Sequence, residues 1–281
     1  MVPGIQTGAV NVSADTKNQQ PTDFPWWLLA VIAIGAWLGY RIVSDDLYSE
    51  VFSILSRGII VTAFVTITAF TLASILGLLL AAAVLSPYLV LRQCARFYIE
   101  IMRGIPMLVL LFYIAFVAAP LLVNLVNSLF APWLDAPLRT RDFSLMWRAI
   151  IALTLGYSAF IAEVFRAGIQ AVGQGQKEAA LSLGLSPYSR FRYVVFPQAF
   201  RTILPPLGND FIAMIKDSAL VSVLGVADIT QLGKLYAAGS FRFMETYNIV
   251  AYIYLLVTIV LSLLLRRLEA SLRQSQEHKS G

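Results

Sequence analysis

Cysteine and histidine are almost absent from this chain of 281 residues, which has one of each, Cys94 and His278. A single cysteine excludes an internal disulfide. One cysteine and one distant histidine are also too few for a zinc site, which needs three or four ligands, and a histidine near the end of the chain argues against a Ser-His-Asp triad. We therefore predict no metal site and no catalytic residues.

Charged residues are scarce as well. They make up 13% of the chain, against about 25% in an average soluble domain, whereas apolar residues make up 58%. This composition excludes a disordered chain, a nucleic-acid-binding domain and an ordinary cytosolic enzyme, and it is typical of a polytopic membrane protein. We interpret the net charge of +5 as a membrane orientation signal and predict no nucleic-acid partner.

Six apolar segments are long enough to cross a bilayer, which takes about 20 residues in a helix. We predict an all-α, polytopic membrane protein with about six transmembrane helices. No basic segment precedes the first apolar run, so we interpret that run as an uncleaved span rather than a signal peptide. The fifth segment is the weakest candidate because it contains Asn209, Asp210, Lys216 and Asp217. The predicted spans are 25–43, 58–85, 105–126, 145–166, 203–226 and 249–265.

Lysine and arginine are distributed unevenly between the two sides that six spans create. Of the 21 such residues, 13 flank the side that carries both termini and segment 167–202, 7 flank the other side, and Lys216 lies inside a span. Positive charge is retained on the cytoplasmic side of membrane proteins. We therefore expect both termini and segment 167–202 to be cytoplasmic.

Segment 167–202 is long for a loop, yet its residues predict local structure. Good helix formers occupy 176–183, and Gly184 stops that helix. A serine-proline pair then starts a second short helix, 187–195, because serine caps a helix and proline suits its first position. We expect this second helix to end before Pro197, because the residue before a proline disfavours the helical conformation.

Two interpretations of this compact knob stay open from the residues alone. Its first helix carries Glu178 beside the small residues Ala179 and Ala180, so a partner protein would be able to approach closely. Alternatively, the knob is an interfacial helix that lies on lipid, with Arg190 and Arg192 near the headgroups.

The sequence Glu178-Ala179-Ala180, followed by Gly184 and Pro197, resembles the EAA loop of ABC importer permeases. In that family the loop is the coupling helix, which inserts into a groove of the ATP-hydrolysing subunit. The resemblance makes these five residues the expected ATPase-coupling residues. Three further segments occur in the family's order and resemble permeases for polar or charged amino acids, of the histidine, glutamine, glutamate and arginine type: 98–106, 159–169 and 209–225.

The resemblance also implies a domain layout. The five-span permease core would occupy 58–268 and include a cytoplasmic coupling loop at 172–199. An extra N-terminal span with its loop would occupy 25–57, between a polar cytoplasmic tail, 1–24, and the core. A polar C-terminal tail would follow at 269–281.

Partners follow from the same resemblance. ATP and magnesium would be bound by separate ATPase subunits, so this chain would bind no cofactor and would not be an enzyme, and no Walker A pattern is present in it. Each transporter would need a second permease subunit, identical or paralogous. A periplasmic or extracellular solute-binding protein would deliver an amino-acid substrate. The chain would be a multi-pass protein of the bacterial inner (plasma) membrane, in contact with its lipid.

Polar residues inside the fifth predicted span form the candidate substrate path. A charge at mid-membrane costs about 2.5 to 3.5 kcal/mol, so it pairs with another charge or faces a cavity. Asp210 and Asp217 lie two turns apart on one helix face, with Asn209 and Lys216 beside them. Either Lys216 or Asn209 meets a substrate carboxylate while Asp217 orients Lys216 or meets an ammonium group, or the charges form structural ion pairs. The candidate set is Asn209, Lys216, Asp217, Ser218 and Ser222.

Two further charged pairs lie near the predicted cytoplasmic ends of spans. Glu100 and Arg103 have the spacing of neighbours on one helix face, and so do Glu163 and Arg166. They are candidates either for a gate or for ion pairs that finish a helix end, where arginine reaches toward the interface.

Other functional classes compete with the permease interpretation. An ion-gradient-driven secondary transporter would use buried Lys216, Asp217 and Glu163, but the EAA loop and the lack of a visible internal repeat argue against it. An intramembrane aspartyl protease is excluded, because Asp210 and Asp217 lie about 10 Å apart along one helix and a dyad needs about 3 Å. A membrane scaffold would fit the knob but not the intramembrane charges.

Overall fold

The structure, a computed structural model, describes residues 26–130, 133 and 136–280. Every regular element in these ranges is helical, and none of them is a strand. The predicted all-α fold is confirmed. The predicted tail 1–24 lies outside the described residues.

Twelve α-helices occur in the described residues. A π-helical turn, Ile114–Ala118, joins the fifth to the sixth, and another, Phe191–Val195, joins the ninth to the tenth. A 3-10 segment, Ser218–Leu224, continues the tenth. The helices are α1 (Trp26–Ser44), α2 (Asp46–Ser56), α3 (Gly58–Val84), α4 (Leu89–Gly104), α5 (Met107–Tyr113), α6 (Ala119–Phe130), α7 (Leu145–Gln170), α8 (Gln174–Ser182), α9 (Pro187–Arg190), α10 (Phe196–Asp217), α11 (Ile229–Ser240) and α12 (Phe243–Ser280).

Four helical stretches in the described ranges are long and apolar enough to cross a membrane: Asp46–Val84, Met107–Phe130, Leu145–Gln170 and Phe243–Ser271. They include or closely match the second, third, fourth and sixth predicted spans. The first predicted span is a shorter apolar helix, Leu29–Ser44. The fifth is α10 with its 3-10 extension, whose polar residues keep it out of this group although it packs against α3, α7 and α12.

Two segments that were predicted as loops between spans are helical. Between the first two spans, Asp45 caps α2 by accepting a hydrogen bond from the Leu47 backbone N–H at 3.1 Å. Tyr48, Val51 and Leu55 recur at helical spacing on the buried face of α2, which packs against α11 and α12. Between the second and third spans, α4 packs on α3 and α7 in the same way. Tertiary burial of one apolar face makes these short helices stable.

The bundle is organised by the contact between α3 and α7. Small residues follow one another at four-residue spacing along the face of α3 that meets α7, and this spacing lets two helix backbones approach closely. A Cβ atom on Gly77 would lie 2.8 Å from Ile161 Cγ2 and 3.1 Å from the Ala162 backbone nitrogen. The small residues of this stripe are Ala69, Ala73, Gly77 and Ala81, all of them buried.

A buried arginine fastens the start of α7 to two neighbouring segments. Arg148 is only 6% exposed. Its Nε donates to the Phe143 carbonyl at 2.8 Å and its Nη1 to the Ala115 carbonyl at 2.9 Å, and its Nη2 donates to the Thr140 carbonyl. The Ala115 carbonyl is available because the π-helical turn directs the Ala119 N–H to the Ile114 carbonyl instead. The cation thus compensates for its burial with three carbonyl oxygens.

Replacing Gly77 with valine is expected to destabilise the protein by about 1–3 kcal/mol, because the added atoms overlap Ile161 and the backbone of α7. Gly35→Val is the matched control, since a Cβ on Gly35 meets nothing within 4 Å. Thermal unfolding of the two purified variants in detergent measures the difference. Equal midpoints would contradict the close approach of α3 and α7.

Replacing Arg148 with methionine is expected to cost about 3 kcal/mol, because three carbonyls lose a charged donor. The exposed Arg141 in the same connection provides the control variant Arg141→Met. The midpoint of thermal unfolding should fall for the first variant and stay near wild type for the second. A wild-type midpoint for Arg148→Met would show that the arginine does not fasten α7.

Candidate functional site

The predicted coupling loop, residues 172–199, folds into a compact unit at one end of α7 and α10. Its first helix, α8, corresponds to the predicted 176–183, but it begins two residues earlier, at Gln174, and ends one residue earlier, at Ser182. Val172 and Val195 from the two ends of the loop pack together with Ala199 and Ile203 of α10. The loop is therefore anchored on the two helices that it connects.

Gly184 ends α8 as predicted, by a left-handed turn with φ +72°. The Leu185 N–H donates to the Ala180 carbonyl at 3.2 Å, and the Gly184 N–H donates to the Leu181 carbonyl at 2.9 Å. These two bonds form a Schellman motif, which needs a residue that tolerates positive φ. Glycine is thus required here by backbone conformation, although a Cβ at this position would meet nothing within 4 Å.

The second helix of the loop begins as predicted but does not end as predicted. Ser186 caps α9, with its Oγ accepting from the Ser189 N–H at 3.2 Å, and Pro187 takes the first helical position. The chain then stays helical through Pro197 into α10, so the expected stop before that proline is wrong. The Phe196 N–H donates to the Phe191 carbonyl in the π-helical turn, and this wider register accommodates a residue without a donor.

The two faces of α8 differ. Glu178 and Ala179 are exposed on the outer face, where Glu178 accepts a hydrogen bond from Gln174 Nε2 at 3.2 Å. Ala180, expected to lie on the approachable surface, is only 4% exposed and packs inward. Lys177 is half-buried on the inner side. Of the three residues of the motif, only Glu178 and Ala179 are therefore open to a partner.

A cavity of about 500 Å³ opens between the end of α4, the start of α5, α7 and α10. Four of the residues that line it bear polar or charged groups, and they come from three different helices. Met102, Pro106 and Phe160 form part of its apolar wall. The polar lining consists of Arg103, Tyr157, Asp210 and Asp217.

The polar groups of the cavity offer both signs of charge. Tyr157 Oη donates a 2.8 Å hydrogen bond to Asp217 Oδ2. Asp210 Oδ2 is a buried atom with no hydrogen-bond partner. The Arg103 guanidinium lies 5.7 Å from the centroid of the Phe160 ring. Carboxylates and a guanidinium around one space suit a small molecule that carries an ammonium and a carboxylate group.

The other predicted substrate-path residues lie elsewhere. Lys216 and Asn209 are exposed and do not line this cavity. The proposed orientation of Lys216 by Asp217 is wrong, because Tyr157 of α7 holds the Asp217 carboxylate and the described residues contain no Lys216–Asp217 ion pair. Sequence reasoning missed Tyr157, and its only signal was a hydroxyl-bearing ring in the middle of a span.

Ser218 and Ser222 are buried in the 3-10 segment. Their hydroxyls donate to the backbone carbonyls of Ile215 and Ala219, both at 2.7 Å. Neither serine lines the cavity. The two hydroxyls thus bond the backbone of α10 and of its 3-10 extension, and they do not face the cavity.

Of the two predicted helix-end pairs, one forms an ion pair and the other does not. Arg166 Nη2 and Glu163 Oε2 form an ion pair of 2.6 Å, and Arg166 also donates to Gln170 Oε1. Glu100 and Arg103 do not pair: among the residues with described side chains, no ion pair within 4.0 Å includes either. Arg103 turns toward α7 and the cavity instead, and Glu100 is exposed. No group of three acidic, histidine or cysteine side chains in the searched part of the chain is placed to hold a metal ion.

Comparison with known proteins places this arrangement in a family. Residues 73–276 match the family described as "Binding-protein-dependent transport system inner membrane component". A probable amino-acid permease protein, YxeN of Bacillus subtilis, is 36% identical over 76% of this chain and 88% of its own length. The glutamine transport system permease protein GlnP of Escherichia coli is 35% identical over 78% of this chain and 93% of its own.

A solved structure agrees with the sequence relatives. It is the crystal structure of an amino acid ABC transporter with histidines. One of its chains is 37% identical to this chain and superposes with a TM-score of 0.66. The match covers 82% of this chain and 98% of the other. The match to the family model covers most of the chain, including the coupling loop and both helices that flank it. The chain therefore belongs to the family of binding-protein-dependent transport system inner membrane components, the permease subunits of ABC importers.

Proposed function

We propose that the chain is the permease subunit that moves polar or charged amino acids into the cytoplasm. The observation that carries the proposal is that α7 and α10 each bear one end of the coupling loop and one wall of the charged cavity. Relatives named as amino-acid and glutamine permeases support the substrate class. Family membership favours an ABC importer over an ion-gradient-driven carrier.

The energy source in this proposal is a separate ATPase subunit, which binds ATP and magnesium, so the permease chain performs no hydrolysis. Two permease subunits, identical or paralogous, work together. A solute-binding protein delivers the amino acid at the face opposite the coupling loop. The bias of basic residues supports a cytoplasmic coupling loop and cytoplasmic termini in a bacterial inner membrane.

Movement of the coupling loop would be transmitted to the cavity through α7 and α10. Closure of the ATPases on binding ATP would displace α8, whose outer face carries Glu178 and Ala179. Gly168 of α7 and Ile203 of α10 pack so closely that a Cβ on the glycine would overlap the isoleucine side chain. Because α7 and α10 are in direct contact here, a displacement of the loop would move both helices. Tyr157 and Asp217 lie on these same helices and would change their exposure to either side.

The cavity would recognise the two charged groups that every amino acid carries. Asp210 and Asp217 suit the ammonium group, and Arg103 suits the carboxylate. Buried charges that face a cavity in a membrane are functional candidates, because leaving them there has a cost in free energy. In this proposal the exposed Lys216 and Asn209 contribute less than Asp217 does.

Replacing Gly184 with valine tests the coupling loop. A valine at positive φ is strained, and left-handed backbone costs an ordinary residue about 1–2 kcal/mol, so the ATPase subunit recovered with the tagged chain should fall about five-fold or more. Gly239→Val is the control, since Gly239 is an exposed residue of α11, outside the coupling loop, and has no positive φ. Mass spectrometry of the purified complexes quantifies the loss. Full ATPase recovery with Gly184→Val would contradict the role of the loop.

Replacing Asp217 with asparagine tests the cavity. Loss of a charged hydrogen-bonding group costs about 1.5–3 kcal/mol, so amino-acid uptake into proteoliposomes should fall about ten-fold or more while ATPase recovery stays normal. Lys216→Gln, one residue away on the exposed side, should change uptake less than about two-fold.

The same uptake assay can also contradict the proposed substrate path and the proposed energy source. If Lys216→Gln reduces uptake as strongly as Asp217→Asn, the substrate path runs along the other side of α10. Uptake should also require ATP and survive an uncoupler. Uptake that an uncoupler abolishes and ATP does not restore would point to a secondary transporter.

A further inference from the structure

A second cavity lies at the end of α7, between α8, α9 and the π-helical turn Phe191–Val195. It measures about 460 Å³, and two basic side chains from different helices, Lys177 of α8 and Arg190 of α9, line it together with Gln174. Ile169 and Phe191 form part of its apolar side. The charged cavity between α4, α7 and α10 is a separate space with different lining residues.

The two cations of this pocket have no acidic partner. Among the side chains that the structure describes, the ion pairs within 4.0 Å involve neither Lys177 nor Arg190. Glu178, the acidic residue next in sequence to Lys177, is exposed and accepts a hydrogen bond from Gln174. Two cations that converge on one space without compensation favour an anionic ligand.

The pocket lies beside the end of α7 that leads into the coupling loop. The 26 residues of α7 extend about 39 Å at 1.5 Å per residue, whereas the hydrocarbon core is about 30 Å thick. α7 is therefore long enough for its end at Ile169 to reach the polar layer of the bilayer.

An exposed row of aromatic rings leads away from the pocket along α10. The centroids of Phe191 and Phe196 are 6.2 Å apart, and those of Phe196 and Phe200 are 5.8 Å apart. The three side chains are 46%, 43% and 46% exposed, respectively. Phenylalanine is among the residues on the apolar face of helices at the membrane interface, where that face is buried at the boundary between headgroups and acyl chains.

We propose that this pocket binds the headgroup phosphate of an anionic phospholipid, with Lys177 and Arg190 contacting the phosphate and the aromatic row contacting the glycerol and acyl chains. Basic pockets at the membrane surface of helical proteins recognise such headgroups. The aromatic row favours a lipid over free phosphate, which has no apolar part. The outer face of α8, with Glu178 and Ala179, stays available to a protein partner. The lipid site depends on the membrane-spanning fold and not on the transported substrate.

Native mass spectrometry of the purified chain, titrated with phosphatidylglycerol or phosphatidylcholine, tests the site. Each cation that contacts the headgroup contributes about a five-fold change in the binding of anionic lipid, so Lys177→Gln with Arg190→Gln should weaken phosphatidylglycerol binding about 25-fold. Arg96→Gln with Arg267→Gln removes two exposed cations that do not line the pocket, and it should leave phosphatidylglycerol binding within about two-fold. Lys177→Arg with Arg190→Lys should retain binding, and thermal unfolding confirms that each variant is folded.

Any of the following results would overturn the proposal. The first is equal phosphatidylglycerol binding by the wild type and by the Gln variant at Lys177 and Arg190, and the second is equal loss in the control variant. The third is a photocrosslinker at Phe196 that captures a second copy of the chain or an ATPase subunit in native membranes instead of phospholipid. Inorganic phosphate alone should not displace the lipid, and displacement at equal concentration would indicate a free-anion site. ATPase recovery and uptake test the transport proposal separately, since neither is used as a readout here.

Discussion

The close approach of α3 and α7 is the constraint on which the other contacts of the bundle depend. Lipid chains are as apolar as leucine side chains, so apolar burial alone does not hold two helices together inside a membrane. The four small residues of the α3 stripe let its backbone come near Ile161 and Ala162 of α7, where van der Waals contact is dense. With α7 fixed in this way, α4, α5 and α10 pack around it.

The position of α7 unites the coupling loop with the charged cavity. One helix carries Tyr157 into the cavity and, about four turns later, reaches the loop that begins at Val172. α10 returns from the loop through a π-helical turn and brings Asp210 and Asp217 back to the same space. Two helices packed at Gly168 and Ile203 thus connect the loop directly to the cavity.

Several features were predictable because local residues determine them. Gly184 had to end α8, because only a residue free to adopt positive φ completes that turn, and the serine-proline pair had to start α9. Long apolar runs predicted the spans. The stop at Pro197 failed because the π-helical turn changes the hydrogen-bond register, which no short sequence pattern reports. The sequence analysis also missed α2: its apolar residues recur at helical spacing, but only packing against α11 and α12 buries that face.

The sequence by itself determined the all-α membrane fold, the order of its spans and the family, because these follow from hydropathy, helix punctuation and motifs read along the chain. Tertiary structure decided which charged and polar groups of different helices meet. Glu100 and Arg103 share a helical spacing but not a contact, and Asp217 pairs with Tyr157 from α7 rather than with its neighbour Lys216. Adjacent residues on a helix point about 100° apart, so partners come from whichever helix packs beside them, and that is set by the fit of whole helix faces.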